Sequence, residues 1–268
     1  MEIVHILGYF GALTIGLVLG LLGGGGSIMA IPIFTYLFQI SPITTTAYSL
    51  FVVGTSASIG ALKNFKNGLI DFKVALVFAI PAFITVFIAR RFVVPMIPEN
   101  LAIIGEFVVT KNMGVMLLFS GLMLVASLTM IRKKEKLINE KTAVSYNYPL
   151  LILGGIIIGF LTGLAGIGGG FLIIPVLVFM VKLPMKNAVA TSLFIIALKS
   201  LIGFFSGIEY LEINWVFLLI FTLISSAGIF IGVYLATFIN SENLKKGFGW
   251  FVLLMAICVF FKEMIASL

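Results

Sequence analysis

The chain has 268 residues, 61% of them hydrophobic and 10% charged, and a formal net charge of +7. Soluble domains hold about 45–50% apolar and about 25% charged residues, so this composition excludes a soluble globular protein and places the chain in a lipid bilayer. Cys258 is the only cysteine and His5 the only histidine. Intrachain disulfides, Cys-based metal clusters and zinc or haem centres are therefore excluded, and no cofactor is expected.

In chain order, apolar stretches near the ~20 residues that a helix needs to cross ~30 Å of hydrocarbon fall at 5–22, 43–62, 70–92, 108–131, 149–166, 186–206, 213–238 and 244–267. Met1-Glu2 supplies no basic leader and no small-residue cleavage site follows, so the first stretch reads as a mature helix and not as a signal peptide. Two shorter pieces, 27–38 and 170–181, would rise only about 18 Å at ~1.5 Å per residue and cannot cross alone. Each either continues the preceding helix beyond a break or is a half-helix dipping into the protein, where neighbouring helices or water must satisfy its backbone.

The stretch Gly16–Pro32, GLVLGLLGGGGSIMAIP, returns 143 residues later at Gly159–Pro175 as GFLTGLAGIGGGFLIIP, and the ungapped register holds through Gly60 and Gly203 with 14 identities in 45 positions. The predicted fold is an all-α polytopic membrane protein of about eight transmembrane helices in two homologous four-helix halves with glycine-broken helices. Residues 1–131 form the first repeat, 132–147 a basic cytoplasmic linker and 148–268 the second repeat. Multi-pass insertion in the cell membrane follows.

The densest charge run, Arg132-Lys133-Lys134-Glu135-Lys136, sits in that linker and reads as positive-inside topology; no nucleic-acid partner is expected. A parallel repeat would put 9 basic loop residues inside and 7 outside, an inverted one 12 and 4. Charge favours inversion. Four spans per half favour the parallel arrangement, unless the short pieces are re-entrant.

Gly16 and Gly20, with Gly159 and Gly163, have the GxxxG spacing of close helix packing. The runs Gly23–Gly26 and Gly168–Gly170 are different, because consecutive residues without side chains let a helix open. A new helical segment begins after each, and its first amides lack intrahelical partners and carry the positive end of the helix dipole. Two such N-termini meeting near mid-membrane would bind a small oxyanion. Gly24, Gly25, Gly26, Gly168, Gly169 and Gly170 are the candidate backbone donors, and Ser27 would add a hydroxyl. Ser49, Thr191 and Ser192, together with Thr44–Thr46 and Asn187, are candidates to line the path, in competition with bonding back to their own helices. Lys199 lies about three residues beyond the centre of its span, where an uncompensated charge costs several kcal/mol. It is held either by a backbone carbonyl or water in the bundle, or it attracts the anion. Its counterpart in the first half is Ser56.

The paired Gly-rich motifs ending in Pro32 and Pro175, each followed about fifteen residues on by Ala47-Tyr48-Ser49-Leu50-Phe51 or Ala190-Thr191-Ser192-Leu193-Phe194, resemble the sulfite exporter TauE/SafE family of membrane transporters. The resemblance covers nearly the whole chain and implies transport of small anions, typically sulfite, sulfonates or other organosulfur compounds. Tyr48 departs from the Ala-Thr-Ser pattern that Thr191 keeps, which puts exact equivalence of the two half-sites in doubt.

All ten acidic residues fall in loops or at span ends, so no mid-span carboxylate offers a proton relay or sodium ligand. An enzyme is not expected, because the chain lacks a nucleophile and base pairing. The expected function is alternating-access transport of a small anion at a site between the repeats. The alternatives are an anion channel and a non-transporting membrane assembly or receptor subunit. The expected partners are the anionic solute and the bilayer, with a second copy of the chain compatible with both.

Overall fold

A computed structural model describes residues 2–40, 42–93, 96–98, 100–104, 107–132, 147–165, 170–205 and 213–266. Most of the linker expected over 132–147 lies outside the described residues, as do Gly168 and Gly169. The described chain is helical apart from a small antiparallel hairpin, β1 (Asn100–Ile104) with β2 (Phe107–Thr110). Strand β1 lies in the gap read from sequence between the stretches 70–92 and 108–131, while β2 takes the first three residues of the second stretch, whose helix begins at Lys111. Five helices are long and apolar enough to cross a membrane, by length and composition.

The first helix, α1 (Glu2–Leu22), ends where Gly23 takes φ +69°, a left-handed conformation that suits glycine and stops a helix. Helix α2 (Gly26–Pro32) then runs on into a π-helical turn, Ile33–Leu37. Pro32 has no N–H to give the preceding turn, and the wider turn follows it directly. A Cβ on Gly11 would meet Ile33, and one on Gly8 would meet Phe38, so this segment doubles back along α1. The short piece is therefore the return arm of a helical hairpin and does not continue α1.

Next come α3 (Pro42–Lys66), α4 (Phe72–Ile88, extended by a π turn to Val93) and α5 (Lys111–Arg132). The remaining helices are α6 (Tyr148–Ala165), α7 (Gly170–Phe179), α8 (Met185–Phe205), α9 (Trp215–Phe238) and α10 (Ser241–Ala266). Helix α7 returns along α6, since a Cβ on Gly154 would meet Val176 and Met180. It is apolar on every face and buried at eight of its ten residues, as a helix without a polar stripe must be.

Helix α1 packs on α9 and α6 on α4, while α3 pairs with α8 and α5 with α10. The GxxxG glycines make the first two contacts backbone to backbone. A Cβ on Gly16 would strike the Ser225 carbonyl and one on Gly20 the Ile229 carbonyl, while Gly159 lies against Ala82 and Gly163 against Val86 and Ala89. Large apolar side chains such as Phe10, Phe87, Val216, Leu223 and Phe261 stay exposed and form the surface offered to lipid.

The turn between α3 and α4 meets the turn before α8. Asn187 Nδ2 donates to the Leu69 carbonyl (3.1 Å) and Lys186 Nζ to the Thr237 carbonyl (3.1 Å) near the end of α9. Lys63, Lys66, Lys73, Lys182, Lys186, Lys245 and Lys246 thus belong to turns gathered at one end of the bundle. Helix α5 runs back toward this end, with Ile131 against Gly249. Each hairpin begins and ends at a single end, the first opposite the lysines and the second beside them. Three long helices follow each hairpin, α3 to α5 and α8 to α10, and all of these but α5 are the five that are long and apolar enough to cross.

Candidate functional site

The two hairpin tips meet in the middle of the bundle. A Cβ on Gly24 would lie 2.6 Å from the Gly170 carbonyl oxygen and 2.9 Å from Phe171 N, and one on Gly170 would lie 3.4 Å from Gly24 Cα. Only glycine fits here, because each tip faces the other's backbone. Helix α8 sets the level of the contact. Val189 and Ser192 touch Gly23, Ile196 touches Gly170, and Lys199 reaches the second hairpin one turn further on. The start of α2 and the start of α7 therefore face one another about halfway along α8, and the positive ends of two helix dipoles converge.

Gly23 to Gly26 are all buried. Gly25 points away from the second tip, and a Cβ there would meet Phe251 and Val18; Gly26 packs on Ile15 and Leu19. Ser27 is the second residue of α2; its side chain lies outside what is described, as do Gly168 and Gly169. Ser49 is buried on α3 at 4% exposure. Ser192 Oγ, also buried, lies 2.8 Å from both the Gly23 carbonyl and the Val189 carbonyl in its own helix. It therefore bonds back and also anchors the first tip. Asn187 is engaged with Leu69, and Thr45 Oγ1 donates to the Ile40 carbonyl (3.2 Å).

Thr191 Oγ1 accepts from Asp71 N (3.1 Å), and Tyr48 OH accepts from Asn214 N (2.8 Å). Positions 48 and 191, like 71 and 214, are 143 apart, and Asp71 and Asn214 are the N-caps of α4 and α9. The departure at Tyr48 therefore keeps the same bond with a longer arm: the middle residue of each signature clamps the N-cap of a helix in the other half. Each hydroxyl accepts one backbone N–H here, and that bond leaves its own O–H to donate. Tyr48→Phe and Thr191→Val are each expected to cost about 0.5–1.5 kcal/mol, the net worth of one hydrogen bond. Thermal unfolding in detergent should show the loss.

Lys199 Nζ donates to Thr162 Oγ1 (2.8 Å), a buried hydroxyl one turn before the end of α6. The ammonium is thus held beside the second tip by a neutral side chain, a partner that the sequence reading did not name. Its first-half counterpart does something different: Ser56 Oγ donates to Ser225 Oγ (3.0 Å) across α3 and α9. Ser200, next to Lys199, is 1% exposed and its Oγ has no hydrogen-bond partner among the described residues. No sequence motif marked it or Thr162. Among the described residues no group of three or more His, Cys, Asp or Glu side chains could hold a metal ion.

The family profile described as sulfite exporter TauE/SafE matches residues 9–259. A Xylella fastidiosa protein named as a probable membrane transporter is 28% identical over 260 residues, covering 93% of this chain and 92% of its own. A probable membrane transporter from Bacillus subtilis is 32% identical, covering 77% of this chain and 78% of its own. One from Methanocaldococcus jannaschii is 42% identical over a shorter region, 41% of this chain and 43% of its own. No solved structure matches the chain.

Proposed function

The chain belongs to the TauE/SafE sulfite exporter family and is a multi-pass membrane transporter, and from this premise we propose that it carries small oxyanions, sulfite or a sulfonate among them, bound between the two hairpin tips. The observation that carries the proposal is the meeting of Gly24 with Gly170 at the facing starts of α2 and α7. The start of a helix carries the positive end of its dipole, and a buried anion is the ligand that two converging dipoles favour. Lys199 adds a full positive charge beside the second tip, and the Thr162 hydroxyl orients it.

The two halves form an inverted repeat in this reading. The pairing of α1 with α9 mirrors that of α6 with α4, and the Tyr48 and Thr191 clamps repeat at the same offset. Collecting the turn lysines at one end makes that end cytoplasmic by the positive-inside rule. Alternating access would rock one hairpin and its partners against the other about the tip contact.

The test is flux into liposomes containing the purified protein, with sulfite, sulfate, taurine, sulfoacetate and lactate compared. Movement of sulfite or a sulfonate well above protein-free liposomes is the expected result. Absence of flux for every sulfur oxyanion would overturn the proposed substrate class.

A further inference from the structure

A cavity of about 240 Å³ opens at the lysine-bearing end, lined by Gly20 of α1, Asn64 and Asn67 at the end of α3, Lys186 and Val189 of α8, and Thr237 near the end of α9. Its inner wall is the back of the first hairpin tip. Val189 Cα and Cγ1 would each lie 2.9 Å from a Cβ on Gly23, and Gly20 is three residues before that turn. A single layer of residues thus separates the cavity from the meeting point of the tips.

We propose that this cavity is an anion-binding vestibule, a second and shallower site at which a small oxyanion is held before it passes to the tips. This rests on the reading of the tips as an anion site. Lys186 is the only charged residue among those lining the cavity. Its ammonium spends one N–H on the Thr237 carbonyl and, having three donors, keeps others for a ligand. The Asn64 amide is held in place by Nδ2 donating to the Gly60 carbonyl (3.0 Å), and Asn64 is 6% exposed. That leaves a fixed carboxamide on one wall and the exposed Asn67 amide at the mouth. Lys63, Lys66, Lys182 and Lys245 on the surrounding turns outnumber Asp71 and Glu242, the latter paired with Lys246 (2.9 Å), so the local field is net positive and concentrates anions at the opening. One cation and two carboxamides under a net positive field fit a small, partly hydrated oxyanion better than a metal ion, and Leu69, Val233, Ala236 and Leu244 form the apolar remainder of the lining.

The experiment compares uptake of radiolabelled sulfite into inside-out and right-side-out vesicles from cells producing the full chain. Lys186→Gln should raise the half-saturating sulfite concentration about ten-fold in inside-out vesicles with maximal rate within about two-fold, as expected for loss of a binding contact. In right-side-out vesicles the same variant should leave the half-saturating concentration unchanged and show its loss in the maximal rate, since detailed balance lowers the ratio of the two equally in both directions. Lys182→Gln, a neighbouring exposed lysine outside the lining, should shift neither. An equal shift in both orientations, or none in the inside-out vesicles, overturns the vestibule.

A second readout needs no transport. With Cys258→Ser and Asn67→Cys introduced, a negatively charged methanethiosulfonate should label position 67 faster than a positively charged reagent of the same size. Millimolar sulfoacetate, a sulfonate that does not react with thiosulfonates or disulfides, should slow the labelling, and Lys186→Gln should abolish the preference. Equal labelling rates with Lys186 present would sink the vestibule. Charge-selective, sulfoacetate-protected labelling in a protein that moves no sulfur oxyanion would instead sink the transport reading and leave the vestibule standing.

Discussion

Gly24→Ala is expected to lower sulfite flux in liposomes by about ten-fold or more while the protein still inserts and unfolds cooperatively. The added methyl would sit 2.6 Å from the Gly170 carbonyl oxygen and 2.9 Å from Phe171 N, all of it backbone. No side chain can turn aside, so the tips must separate and the two helix starts no longer converge on one anion. Overpacking of this kind costs about 1–3 kcal/mol, less than the usual 5–15 kcal/mol of a folded protein, so transport should suffer far more than folding. Gly121→Ala is the matched control, since a Cβ there meets nothing within 4 Å, and its flux should equal that of the unmodified chain. Flux retained in Gly24→Ala would separate transport from the tip contact.

Lys199→Met should weaken sulfite binding by about 1–3 kcal/mol, the range for a charge-assisted hydrogen bond, while keeping most of the side-chain volume. Because Lys199 holds Thr162, a purely structural lysine would show its loss as lower thermal stability with unchanged affinity. Thr162→Val distinguishes the two roles: it removes the hydroxyl and leaves the ammonium, so affinity should fall less than in Lys199→Met. Calorimetric titration of detergent-solubilised protein, read beside its unfolding temperature, checks both variants. Unchanged affinity in Lys199→Met with an altered unfolding temperature would assign the lysine to the scaffold.

The duplication, the membrane environment and the glycine breaks were legible because each is a local pattern, readable at a fixed offset or within one stretch. The direction of the chain after each break was not. It turns on the positive φ of Gly23, and a glycine run permits such a backbone without requiring it. Helix counting therefore favoured parallel halves while charge favoured inversion, and the doubling back of the short pieces removes the objection that the count raised to the inversion proposed above. The hydroxyl signatures were visible as motifs, but their partners were not. Thr191 finds Asp71 and Tyr48 finds Asn214 across separations of 120 and 166 residues. Gly25 looked equivalent to its neighbours in sequence, yet it faces Phe251, so Gly24 is the residue that reports on the tips.

The central claim is that an oxyanion sits between the tips. Selenite matches the pyramidal shape of sulfite and carries a selenium atom that scatters anomalously. Crystals of the methionine-containing protein soaked in selenite should give an anomalous peak between the first turns of α2 and α7, within hydrogen-bonding distance of their backbone amides and near Lys199 Nζ. A selenite-competent transporter whose peak lies elsewhere, with the contact of Gly24 and Gly170 closed and empty, would contradict the account.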